Sequence, residues 1–113
     1  MKIISARTEK IVDTPHKLEV RKLYDQDSAQ VMHITLQVGE ALKPHITPVD
    51  VFFYILEGVV DVLVGNETVS VAQDHLVESP KDIIHCLSNN SNSVARILVV
   101  KAPKPATLAK FVH

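Results

Sequence analysis

The chain has no tryptophan, one cysteine and three glycines in 113 residues, and aromatic side chains make up only 4% of it. Each shortage excludes something. A single thiol, Cys86, cannot close an internal disulfide, so burial rather than cross-linking must hold the fold. Few aromatics, none interleaved with basic residues, leave no stacking platform for nucleobases. Charge of one sign is also missing: twelve Lys and Arg stand against thirteen Asp and Glu, a formal net charge of -1. With no basic run, nucleic acid is not an expected partner. No apolar stretch reaches the roughly 18 residues of a membrane helix. Neither a signal peptide nor a lipidation signal is visible, so the expectation is a cytoplasmic chain with no membrane contact. Helical patterning is nearly absent as well. Only Ala106 to Val112, after Pro103 and Pro105, is expected to make a helical turn or two.

What is present is β patterning. The hydrophobic fraction is 46% and the charged fraction 22%, as in a soluble globular protein. A length of 113 residues allows one core, hence a single domain over 1–113 with an N-terminal arm over 1–16. Lys17 to Tyr24 alternates weakly. Val31 to Val38 alternates better, with Met32, Ile34, Leu36 and Val38 on one face and His33, Thr35 and Gln37 on the other. Val51 to Val64 is strongly β-prone but broken at Glu57-Gly58, which predicts a corner or bulge. Shorter strands follow around Thr68 to Val71, Leu76-Val77, Ile83 to Leu87 and Val94 to Val100. Short strands with turn signals at regular spacing indicate an all-β antiparallel sandwich or barrel.

Two segments place a histidine at a strand edge beside turn residues. The first runs from Gly39 through His45, Ile46, Thr47, Pro48, Val49 and Asp50 into Val51-Phe52-Phe53-Tyr54-Ile55-Leu56-Glu57-Gly58; the second is Pro80-Lys81-Asp82-Ile83-Ile84-His85-Cys86-Leu87-Ser88-Asn89. Together, over 39–58 and 80–89, they resemble the two motifs of the cupins. The resemblance covers about Met32 to Val100 and implies a double-stranded β-helix, a jelly roll of six to eight strands with a pocket between its sheets. It also implies His45 and His85 as metal ligands. The chain departs from the family pattern at four places. Thr47 replaces a second histidine, Val51 replaces a glutamate ligand, and Asp74 and Asp82 replace turn glycines.

Metal sites of this kind use three or four nitrogen and oxygen ligands. Two histidines therefore need help, and Asp50 is the candidate third ligand for a divalent first-row ion (Zn, Fe, Mn or Ni). Strand alternation from His45 through Phe53 opposes that assignment unless Pro48 breaks the parity. The alternative is a carboxylate that orients a neighbour. Thr47 reads either as a hydrogen-bonding group for a bound molecule or as a β-branched strand residue. Met32, Ile34, Phe53, Ile83, Leu87 and Leu98, with Val100, are expected to line an apolar pocket, and Arg96 shares the parity of Leu98. Met32, Ile34, Phe53, Leu98 and Thr47 are thus the candidate substrate contacts. His33 is expected outside the barrel, His75 and His16 at the surface, and His113 disordered. Cys86, beside His85, should point the other way as a buried structural thiol.

Two functions remain open at this stage, beside a purely structural dimer with a vestigial pocket. One is a metal-dependent enzyme of dioxygenase, isomerase or decarboxylase type, acting on a small organic molecule with a polar head. The other is a non-catalytic module that binds a small molecule or a metal through a degenerate site. Strands Val51 to Leu56 and Val94 to Val100 are apolar on both faces, which predicts a homodimer.

Overall fold

Alternation along the chain becomes two antiparallel sheets in the computed structural model, which describes residues 1–112; His113 lies outside the described residues. There are ten strands among the described residues: β1 (Glu19–Gln26), β2 (Ala29–Leu36), β3 (His45–Ile46), β4 (Val51–Glu57), β5 (Val59–Val64), β6 (Glu67–Ala72), β7 (Leu76–Ser79), β8 (Ile84–Ser88), β9 (Ala95–Lys101) and β10 (Lys110–Phe111). One sheet runs β1-β2-β9-β4-β7 and the other β10-β3-β8-β5-β6. This is the expected jelly roll, with ten strands rather than six to eight because β3 and β10 are two-residue pieces. No helix among the described residues is long and apolar enough to cross a membrane.

The core lies between the sheets and is built from rows of side chains that cross several strands. Ile34, Ile97 and Ile55 form one row across β2, β9 and β4, and Met32, Val99 and Phe53 form the next. Phe53, Ile55, Ile97, Leu36 and Leu87 are each at most 1% exposed. The corner expected at Glu57-Gly58 is where the chain leaves one sheet for the other. The β4–β9 register slips between Ile55 and Glu57, and Gly58 follows at φ +81°. Both aspartates that stand where turn glycines are usual, Asp74 and Asp82, adopt left-handed backbone, with φ of 67° and 62°. A short polar side chain tolerates that region better than most.

One expectation about the ends of the chain needs correction. The segment Ala106 to Val112 is not helical: Lys110 and Phe111 pair with Ile46 and His45 of β3. Seven residues are too few to sustain a helix alone, so tertiary pairing decides the conformation. The N-terminal arm pairs within the chain, through an Ile11–Arg21 bridge and a Val12 N–H to Val20 C=O hydrogen bond.

Asn89, at the end of the second motif, is fully buried. Its Nδ2 donates to the carbonyls of Leu36 and Ser93 at 2.9 Å each, and its Oδ1 accepts from Ser91 N–H and Oγ–H. It pins the loop before β9 to the end of β2. Asn89→Ala removes the donor to the Leu36 carbonyl and the acceptor that holds Ser91, and should lower stability by about 1–3 kcal/mol, read as a shift of the urea midpoint at unchanged slope.

Candidate functional site: a histidine-ended cavity

β3 and β8 are direct neighbours, and their register sets His45 opposite His85. Forty residues of separation thus close to 3.0 Å between the two Nε2 atoms. Each ring is fixed from behind. His45 Nδ1 donates to the Lys43 carbonyl at 2.8 Å, and His85 Nδ1 meets Ser79 Oγ at 2.7 Å. Because His45 carries its proton on Nδ1, its Nε2 accepts, so His85 donates from Nε2 and takes the Ser79 hydroxyl proton at Nδ1. Thr47 Oγ1 also lies 3.1 Å from His85 Nε2. The Phe53 ring stands nearly perpendicular to the His85 ring, with centroids 5.2 Å apart.

These imidazoles end a cavity of about 470 Å³ between the sheets. Val20, Met32, Ile34, Phe53 and Val99 form its apolar wall. The rim comes from both ends of the chain: Thr14, Pro15 and His16 from the arm, Leu108, Ala109 and Phe111 from the tail. His16 is therefore not a surface residue as expected. Its ring lies 5.1 Å from that of His45 and 5.3 Å from that of Phe111, and its Nδ1 accepts from Lys43 N–H at 3.0 Å, which leaves the proton on Nε2.

A family model for the cupin domain matches residues 32–101. The chain belongs to the cupin family. Among solved structures, this cupin is similar to TT1209 from Thermus thermophilus, at 30% identity and TM-score 0.80 over 93% of this chain and all of that one. It also resembles the polyketide cyclase RemF from Streptomyces resistomycificus, at 22% identity and TM-score 0.83 over 100% of this chain and 86% of that one. An RmlC-like cupin with a double-stranded β-helix fold from Methanocaldococcus jannaschii matches at 24% identity and TM-score 0.72, over 85% of this chain and 92% of that one. The last two show the fold alone. No curated protein matches the chain.

The cavity wall holds three of the expected contacts, Met32, Ile34 and Phe53. Leu98 is not among them. Residues Ala95, Ile97 and Val99 of β9 face the interior, which turns Arg96, Leu98 and Val100 outward. The expected parity was off by one because β9 is apolar on both faces, so alternation carries no sign of which face is inside. Thr47, 1% exposed, backs the His85 ring instead of lining the cavity. Ile83 is 39% exposed. Asp50 is exposed, and its Oδ1 accepts from Lys81 N–H at 2.9 Å. It clasps the first motif to the turn of the second, in line with the parity argument. His33 is on the outer face as expected but only 2% exposed, with its Nε2 accepting from Arg96 Nε–H at 3.2 Å. The Cys86 thiol is buried and donates to the Leu42 carbonyl, and burial pushes its pKa up, which makes it inert.

Lys101 escaped the sequence reading altogether. It closes β9 in the row that continues through Val51 to Ser79, with its side chain on the cavity wall. The apolar run before it gives no signal that its final residue turns inward. Burial alone pushes the Lys101 amine below its usual pKa. The imidazoles are depressed too. His85 is pushed down to about 3 by burial, then by the charges of His45, Lys101 and His16. His16 falls to about 4 by burial and by His45, Lys101 and Lys43. His45 is lowered by burial and by Lys101, against its bond to the Lys43 carbonyl. The three rings are thus neutral hydrogen-bonding groups at neutral pH.

As a resident-metal site the donor set falls short. Among the described residues no three His, Cys, Asp or Glu side chains are grouped to hold an ion. His45 and His85 supply two nitrogens, Asp50 faces away, and Lys101 adds a cation to the same wall.

Proposed function

We propose that this cupin binds a small, partly apolar organic molecule between its sheets, with the polar head against His45 and His85. The observation that carries this is the cavity itself: one apolar wall, with polar side chains gathered at one end. A site of this composition fixes orientation through a few hydrogen bonds and draws affinity from apolar burial. The chemistry favours holding over proton transfer. A base works best when its pKa lies near the working pH, and His85 at about 3 is far below it.

The test is calorimetric titration with straight-chain eight-carbon compounds bearing one polar head. Binding is expected to the native chain and to be lost in Val99→Trp, which fills the wall between Met32 and Phe53 while leaving the imidazoles in place. Equal binding by Val99→Trp would remove the cavity from consideration.

One observation supports a second reading. Both Nδ1 atoms are tied off, so both Nε2 lone pairs can turn to one point if His85 donates to Ser79 instead. A first-row ion there would draw its remaining oxygens from the bound molecule and polarise one of them. Protein prepared without a histidine tag is expected to carry well under one such ion per chain. A stoichiometric ion that disappears in both His45→Ala and His85→Ala would establish the second reading instead.

A further inference from the structure

Among the described residues Lys101 is the one ammonium on the cavity wall, and none of them pairs with it there. None of the ion pairs among the described residues includes it. Asp13, the single carboxylate on the rim among the described residues, is turned to solvent and paired with Lys17 at 2.9 Å, its side chain 87% exposed. One neighbouring polar group at this end is a donor as well. His16 carries its proton on Nε2, because Nδ1 accepts from Lys43 N–H, whereas the His85 Nε2–H is already given to His45. The wall beyond them is apolar, built from Val20, Met32, Ile34, Phe53 and Val99. A half-buried cation with no counter-charge is unfavourable, and an N–H donor with no acceptor adds to the deficit.

We propose that the molecule held here is a carboxylic acid with an apolar body, its carboxylate received by Lys101 and the His16 N–H. This deepens the reading of the cavity given above and rests on it. The class follows from charge and shape together. One ammonium balances one negative charge, so a dianionic phosphate would bring a second charge into the apolar wall without a partner. A neutral head would leave Lys101 unpaired. A charge-assisted bond from an ammonium to a carboxylate in a dry pocket is among the stronger polar contacts available.

The experiment compares octanoate, octanol and octylamine by calorimetry on the native chain, Lys101→Met and Lys101→Arg. Octanoate is expected to bind the native chain at least tenfold more tightly than octanol, and octylamine not detectably. Lys101→Met should lose that preference while still binding octanol, and Lys101→Arg should keep it, which separates loss of charge from loss of fold. If octanol binds as tightly as octanoate, or if Lys101→Met keeps the preference, the carboxylate assignment is overturned while the cavity stands. If none of the three binds the native chain, both fall together.

Discussion

Replacing Gly58 with alanine is expected to lower stability by about 2–5 kcal/mol, from two separable sources. Gly58 sits at φ +81°, a conformation that penalises any L side chain by about 1–2 kcal/mol. It also presses against the start of β9. An added Cβ would lie 2.6 Å from the Val94 carbonyl oxygen and 3.1 Å from Ala95 Cα, both backbone atoms. They cannot yield without moving the strand that carries Ile97, Val99 and Lys101. Overpacking of this sort adds about 1–3 kcal/mol, a large share of a small domain's total of about 5–15. Gly39→Ala is the control, since Gly39 has φ +86° but nothing within 4 Å of its would-be Cβ. Chemical denaturation of both variants should show Gly58→Ala the more damaged. Equal losses would mean that crowding against β9 contributes nothing.

Acid is expected to unfold this protein from an unusually high pH. His85 is neutral in the fold, with its pKa pushed down to about 3, against about 6.5 in the unfolded chain. Between those values the unfolded state binds the extra proton, so stability rises with pH across the window. It is complete above about 6.5 and is lost as pH falls towards 3. The loss steepens as pH falls below 6.5, and His85 alone removes about 2 kcal/mol between pH 6.5 and 4.5. His16 and His45 act in the same direction. Asp25, paired with Lys104 and Lys22, is held at about 2 and titrates below the window. Urea midpoints measured from pH 7.5 to 4.5 should fall steadily, and His85→Gln should flatten the slope by about one proton. A flat native profile across this range would show that the imidazoles are not kept neutral.

The two effects bear on one piece of architecture. Gly58 lets the chain pass from β4 in one sheet to β5 in the other, and the space left between the sheets is where His45 and His85 meet. Damage at the corner should therefore weaken ligand binding as well as stability, without touching any group on the cavity wall.

The motif histidines and the corner were legible because they depend on local chemistry. Turn residues, a glycine with positive φ and β-branched runs restrict the backbone whatever the rest of the chain does. The aspartates at 74 and 82 were legible as turns for the same reason. The cavity was legible only in part. Met32 and Ile34 alternate in sequence with the polar His33 and Thr35, whereas Leu98 lies on a strand with two apolar faces. Asp50 had the right chemistry for a ligand, and its parity already pointed away.

By itself the sequence determined the longer strands, the corner between the sheets and the two segments that carry His45 and His85, since each follows from residues within a few positions of one another. Only the tertiary structure decided which face of β9 looks inward, that His16 and Phe111 from opposite ends of the chain meet at the cavity rim, and that Lys101 stands on its wall. Those are products of register between strands distant in sequence, and a shift of one residue would reverse every side chain on a strand while leaving its composition unchanged.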